Sequence, residues 1–139
     1  MNVLVDTSVW SLALRRAARN LNADEKAVVA ELAELIDEGR ARIIGLVRQE
    51  LLSGIKTSEQ YERLRESLRA FDDAELDFVD YEAAAKCGNT CRSGGISVSL
   101  ADMLMCAVAE RRDWAIFATD PDFHRYARIL NIKLHTCRR

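Results

Sequence analysis

Residues 3–10 read VLVDTSVW. Val3 to Val5 are three consecutive apolar residues, the signature of a strand covered on both faces rather than one with a wet side. The run ends at Asp6, and Thr7 to Arg16 then reads as a helix. A strand that hands over to a helix through a single acidic residue is the opening unit of an α/β arrangement.

The same alternation continues outward. Residues 23–38 place Val28, Leu32, Leu35 and Ile36 on one stripe, with Asn22 as N-cap and Gly39 as C-cap. Arg42 to Leu46 reads as the second strand, followed by a short helix that carries Glu50 and stops near Gly54. Residues 57–71 put Tyr61, Leu64, Leu68 and Phe71 on one helical face. Glu75 to Val79 alternates and is expected as the third strand, and Tyr81 to Arg92 as a helix broken by Ser93-Gly94-Gly95. Ser99 to Asp102 has the capping-box pattern at the head of a helix running to Arg112. Trp114 to Ala118 reads as the fourth strand, Asp120-Pro121 opens a helix, and Ile132 to His135 makes the last strand. The expected class is α/β, with a mostly parallel sheet covered on both faces. A chain of 139 residues points to one domain spanning 1–139.

Composition narrows the function. No apolar run approaches the ~20 residues that span a bilayer, so no membrane association is expected. The N-terminus lacks a secretory pattern. The four cysteines contain no C-x-x-C pair and the two histidines stand apart, which argues against zinc and for reduced thiols in a cytoplasmic protein. Net charge is −2, so the chain is not an overtly basic nucleic-acid binder. Its basic residues are nevertheless 16 Arg to 4 Lys, and Arg suits bidentate phosphate recognition.

The chemistry-bearing residues are Asp6, Glu50, Asp102 and Asp120. Each has an ordinary explanation: Asp6 and Asp120 suit N-caps, Asp102 suits a capping box and a helix dipole, and Glu50 suits a solvated helix face. Capping does not require them to converge, whereas a parallel sheet gathers its strand carboxyl ends on one ligand-binding edge. Carboxylates gathered there need protons or a dication, and hard oxygen donors suit Mg²⁺ or Mn²⁺. Thr7, Ser8, Thr119 and Asp122 adjoin these acids and are the candidates for an outer layer around them. A haloacid-dehalogenase-like phosphatase would carry a second acid soon after Asp6, and Asp6-Thr7-Ser8 has none.

The segments LVDTSVW (4–10), RQELLSG (48–54), SLADMLMCAVA (99–109) and FATDPDF (117–123) together resemble the PIN-domain family, and within it VapC-type toxins of bacterial toxin–antitoxin pairs. The resemblance implies a three-layer α/β/α fold with strand order 3-2-1-4-5. It implies that Asp6, Glu50, Asp102 and Asp120 bind Mg²⁺ or Mn²⁺ for endonucleolytic cleavage of RNA of the tRNA or rRNA class. It also implies a VapB-like antitoxin partner and a homodimer. Ala118 stands where many relatives have Thr or Ser, which leaves hydroxyl assistance at that corner open. Arg15, Arg16, Arg19 and Arg48 are candidates for a positive rim around the acidic centre. The alternative is a catalytically silent module whose acidic pocket holds a basic partner peptide, since carboxylates pair with Arg as readily as with cations.

Overall fold

Val3, Leu4 and Val5 have no exposed surface, and they form the inner strand the sequence calls for. The computed structural model describes residues 1–138. Along the chain lie β1 (Val3–Val5), α1 (Thr7–Leu14), α2 (Ala23–Asp37), β2 (Ala41–Arg42), α3 (Gly45–Leu52) and α4 (Ser58–Leu68). There follow α5 (Phe78–Ser93), α6 (Leu100–Arg112), β3 (Ala115–Phe117), α7 (Asp122–Tyr126) and β4 (Lys133–Leu134). The strands are parallel in the order β2-β1-β3-β4, with Leu4 opposite Arg42 on one side and Ile116 on the other. Helices flank the sheet in two groups. α1 packs on α2 and α3, while α5 packs on α6, and α6 lies against β1 and β3. Among the described residues, no helix is long and apolar enough to cross a membrane.

Local chemistry sets the element ends. Asn22 and Glu25 close a capping box at the head of α2, and Gly39 takes φ 69° to turn the chain from α2 into β2, a conformation glycine adopts without strain. Residues 75–79 do not form the expected strand. The Asp77 carboxylate accepts from the amides of Val79 and Asp80, and the Asp80 carboxylate accepts from the Asp77 amide. This closed box starts α5 at Phe78 and satisfies donors that a sheet ladder would otherwise have used. Phe78 is left 74% exposed as a result. A single parallel bridge, Ile43 to Asp73, marks the sheet edge beyond β2. The α/β class and the inner order of the expected 3-2-1-4-5 sheet hold, but the sheet has four strands and lacks the expected third one, with only the Ile43–Asp73 bridge at that edge.

Two fully buried acids serve this frame. Asp80 is gripped by Arg111 and by both terminal nitrogens of Arg112, which fastens α5 to the end of α6. The Arg112 guanidinium, helped by the Asp77 amide and Arg111, holds the Asp80 carboxyl far below its usual range despite burial. Burial pushes Glu31 up, but hydrogen bonds from His135 and Arg138 outweigh it and leave Glu31 low. Arg138 also reaches Glu38, so the C-terminal segment is strapped across α2.

Candidate active site at the sheet edge

Asp6 leaves the end of β1 and caps α1. One of its oxygens accepts from the Ser8 amide at 3.2 Å and the Ser8 hydroxyl at 2.7 Å. The Ser8 oxygen in turn accepts from the Thr119 amide at 3.0 Å, and the Asp6 amide donates to the Phe117 carbonyl. These bonds lace the ends of β1 and β3 together and fix the Asp6 carboxyl at their junction. On the other side, the Thr7 hydroxyl donates to Glu50 at 2.8 Å, tying α3 to the head of α1.

α6 begins at the same edge. Ser99 accepts from the Asp102 amide at 3.1 Å, so the expected serine cap is present. The Asp102 carboxylate takes a different partner, the hydroxyl of Tyr126, at 2.6 Å. Tyr126 is 1% exposed and stands edge-on to Phe123, so it holds Asp102 from a rigid base. Asp120 is not the expected N-cap: Pro121 stands at the cap of α7, and Asp120, one residue earlier, accepts from the Asp122 amide at 2.9 Å. Oxygens of Asp102, Asp120 and Asp122 can lie within 4.8 Å of one another. Asp122, placed in the outer layer on sequence grounds, thus stands beside the two acids of this corner and carries an ion pair with Arg125.

The electrostatics follow from this gathering. Burial raises the Asp6 carboxyl, the Ser8 bonds pull it back, and the Glu50 charge raises it further. Burial also raises Asp102, against the Tyr126 bond, and both Asp6 and Asp120 add to the rise. Asp102 thus feels Asp6 and Asp120, and Asp6 feels Glu50. Burial, helped by the Asp102 hydrogen bond, pushes the Tyr126 phenol up, which keeps it protonated as the donor.

Among the described residues, no Lys, Arg or His forms an ion pair with Asp6, Glu50, Asp102 or Asp120, whereas Asp80 and Glu31 are neutralised directly. Hydroxyls hold three of the four acids instead: Ser8 on Asp6, Thr7 on Glu50 and Tyr126 on Asp102. A hydroxyl orients a carboxylate without cancelling its charge. The donor set is all oxygen, with no Cys or His in the cluster, and fits a hard dication such as Mg²⁺ or Mn²⁺.

Residues adjoining the acids have their own partners. Thr119 contributes its backbone amide to Ser8. Arg48 is not a rim residue: its guanidinium is occupied by Asp73 and by the carbonyls of Leu68 and Phe71, which secures the turn after α4. Trp10 is core, its indole nitrogen donating to the Val5 carbonyl and its ring edge-on to Phe71. Tyr126 escaped the sequence reading, because its spacing from Phe123 marks only an apolar face and nothing links it to an acid 24 positions away.

The PIN domain family model matches residues 3–129. No curated protein matches the chain by sequence. Among solved structures, FitAcB from Neisseria gonorrhoeae superposes with a TM-score of 0.75 at 21% identity, over 96% of this chain and 96% of that chain. VapBC2 from Rickettsia felis, bound to a DNA fragment from its promoter, gives 0.73 at 16% identity over 97% and 98%. VapBC-1 from nontypeable Haemophilus influenzae gives 0.71 at 14% over 97% and 97%. At these identities the likeness is one of fold.

Proposed function

The chain belongs to the PIN domain family, and on that premise we propose that it is a Mg²⁺- or Mn²⁺-dependent endoribonuclease, the toxin of a VapBC-like toxin–antitoxin pair. Residues 1–139 act as one domain, with Asp6, Glu50, Asp102 and Asp120 as metal-holding and catalytic residues. The observation that carries this reading is the acidic edge itself: mutually repelling carboxylates oriented by hydroxyls and, among the described residues, paired with no basic side chain. By contrast, Asp80, the buried acid that joins α5 to α6, is neutralised by Arg111 and Arg112.

A dication in such a site stabilises charge on a phosphodiester and lowers the pKa of a bound water. The residues of the chain do the positioning. Tyr126 fixes Asp102 and Ser8 fixes Asp6, two residues that would hold the ion. Thr7 aims Glu50 toward the same edge, and Asp120 closes the corner beside Asp102.

The antitoxin, the RNA substrate of the tRNA or rRNA class, the homodimer and the cytoplasmic location belong to the same proposal. The antitoxin draws on the neighbouring FitAcB and VapBC structures, and the RNA, the homodimer and the location on the family resemblance alone. The test is cleavage of single-stranded RNA with Mg²⁺ or Mn²⁺, with EDTA, and in Asp6→Ala and Asp102→Asn. Metal-dependent cleavage abolished by both substitutions is expected, and undiminished cleavage in both would overturn the assignment. The silent-module alternative predicts no Mn²⁺ binding by calorimetry but tight binding of an Arg-rich peptide.

A further inference from the structure

α1 and α3 are joined by the Thr7–Glu50 bond at the acidic edge, and both run away from it toward one groove of about 740 Å³. Its walls carry Arg15, Arg16, Lys56, Gln60, Arg63 and Ser67 and no acidic side chain. This is notable in a chain of net charge −2. The helix α4 sorts its charges to produce it. Gln60, Arg63, Leu64 and Ser67 form one face at the i, i+3, i+4, i+7 spacing, while Glu59, Glu62 and Glu66 lie off that face. Leu14, Ile55 and Leu64 supply an apolar floor.

Among the described residues, Arg16 alone of these cations is engaged, by Glu25 and the Asn20 carbonyl. Arg15, Lys56 and Arg63 are exposed and make no ion pair among the described residues. The groove lies past the far ends of both helices, its lining beginning at Leu14, about 10 Å of helical rise along α1 from Thr7, and at Gly54, just after α3. A polymer whose scissile phosphate sat at the acidic edge would lead its neighbouring phosphates into it.

We infer that this groove, walled by Arg15, Lys56 and Arg63, is the phosphate track for the strand flanking the scissile bond, and that it takes single-stranded RNA. The inference rests on the nuclease reading and assigns its substrate-binding surface. An unpaired cationic wall beside a carboxylate-lined edge suits an extended polyanion, which a metal holds at one point and guanidinium groups hold along its length.

The test uses the double charge reversal Lys56→Glu/Arg63→Glu, both residues being exposed and outside the acidic edge. Cleavage in Mn²⁺ is compared on a long single-stranded RNA and on a dinucleotide too short to reach the groove. The variant should lose at least ~10-fold in kcat/KM on the long RNA and stay within ~2-fold of wild type on the dinucleotide, because phosphate contacts supply most of the electrostatic affinity for a long strand. Binding of the long RNA to the full chain in EDTA, followed by fluorescence anisotropy, should show a log K against log salt slope shallower by roughly 1.4 for two lost contacts at ~0.7 each. Equal cleavage or binding of the long RNA by variant and wild type would overturn the inference. So would a poly-glutamate peptide that binds the groove as tightly as the RNA, which would assign it to a protein partner. If the wild type cleaves neither substrate, the nuclease reading fails, and the anisotropy measurement still decides the groove.

Discussion

Replacing Asp102 with Asn should have opposite consequences for stability with and without metal. Oxygens of Asp102 and its neighbours Asp120 and Asp122 can approach within 4.8 Å. Two unit charges at that spacing repel by roughly 3 kcal/mol at an effective dielectric of ~20. The edge is half-exposed, and solvent screening reduces the repulsion to about 1 kcal/mol per pair. Against this relief stands the Tyr126 hydrogen bond, which changes from charge-assisted to neutral at a cost of about 1 kcal/mol. Asp102 also feels Asp6 and Asp120 together, so relief should equal or exceed the loss. In EDTA, Asp102→Asn should unfold at the same temperature as wild type or up to ~5 °C higher, since about 1 kcal/mol moves Tm by ~3–5 °C in a domain of this size.

Saturating Mn²⁺ should invert the order. A ligand at 100 times its Kd stabilises the folded state by about 2.7 kcal/mol. Wild type gains this and the variant, short of a ligand, gains little. Thermal unfolding followed by circular dichroism in EDTA and in millimolar Mn²⁺ gives four curves whose order must cross. A variant destabilised by the same amount in both buffers would refute the reasoning and reduce Asp102 to a packing residue.

Tyr126→Phe removes the hydroxyl but keeps the ring that packs on Phe123, so the fold should be retained while Mn²⁺ affinity by calorimetry falls roughly 10- to 100-fold, the usual effect of losing a partner that orients a ligand. The raised Asp6 and Asp102 carboxyls fix a pH dependence: the folded protein holds protons there that the unfolded chain releases, so in EDTA their contribution to stability declines as pH rises above the usual carboxylate range. Tm scans between pH 4 and 7 should show that decline weakened in Asp102→Asn and removed by Mn²⁺, and an identical profile in all three would count against the cluster. Asp80→Asn leaves Arg111 and Arg112 without their buried partner and should cost about 3–5 kcal/mol in urea unfolding. Because the Asp80 carboxyl is held low, its contribution is present above the unfolded-state range and disappears as pH falls.

The parts of the molecule legible in sequence were those decided within one or two turns of chain. VLV before Asp6 and AIF within the fourth apolar run are buried strands because unbroken apolar residues have no wet face to offer. Asn22, Ser99 and Gly39 mark helix ends through side-chain and backbone preferences that need no tertiary partner. The nearness of Asp102 and Asp120 was also legible, because a parallel topology moves strand ends and helix starts to one edge whatever lies between them. Two failures came from competition between local signals and from contacts across the chain. At 75–79 an alternating pattern and a capping box wrote over the same residues, and the box satisfied its donors at once while a strand needed a distant edge. Arg48 lies two residues from Glu50 and looked like part of the rim, yet the turn after α4 presents two carbonyls and Asp73 to it.

The contrast between two kinds of acid in this one chain explains why sequence alone could nominate the site but not build it. Asp80 and Asp102 each lie near the start of a helix, and each has a capping residue three positions earlier, Asp77 and Ser99. Nothing local separates them. What separates them is the partner: two arginines at Asp80, one phenol at Asp102. The arginines neutralise and lower the first, whereas the phenol orients the second and leaves its charge beside those of Asp6 and Asp120. A fold that needed only to bury Asp102 could have supplied a guanidinium, and supplying a hydroxyl keeps the edge negative at a cost in stability. That cost is recovered only when a cation binds, so metal affinity and metal-free instability should fall together in variants that remove a carboxylate charge, such as Asp102→Asn and Asp120→Asn.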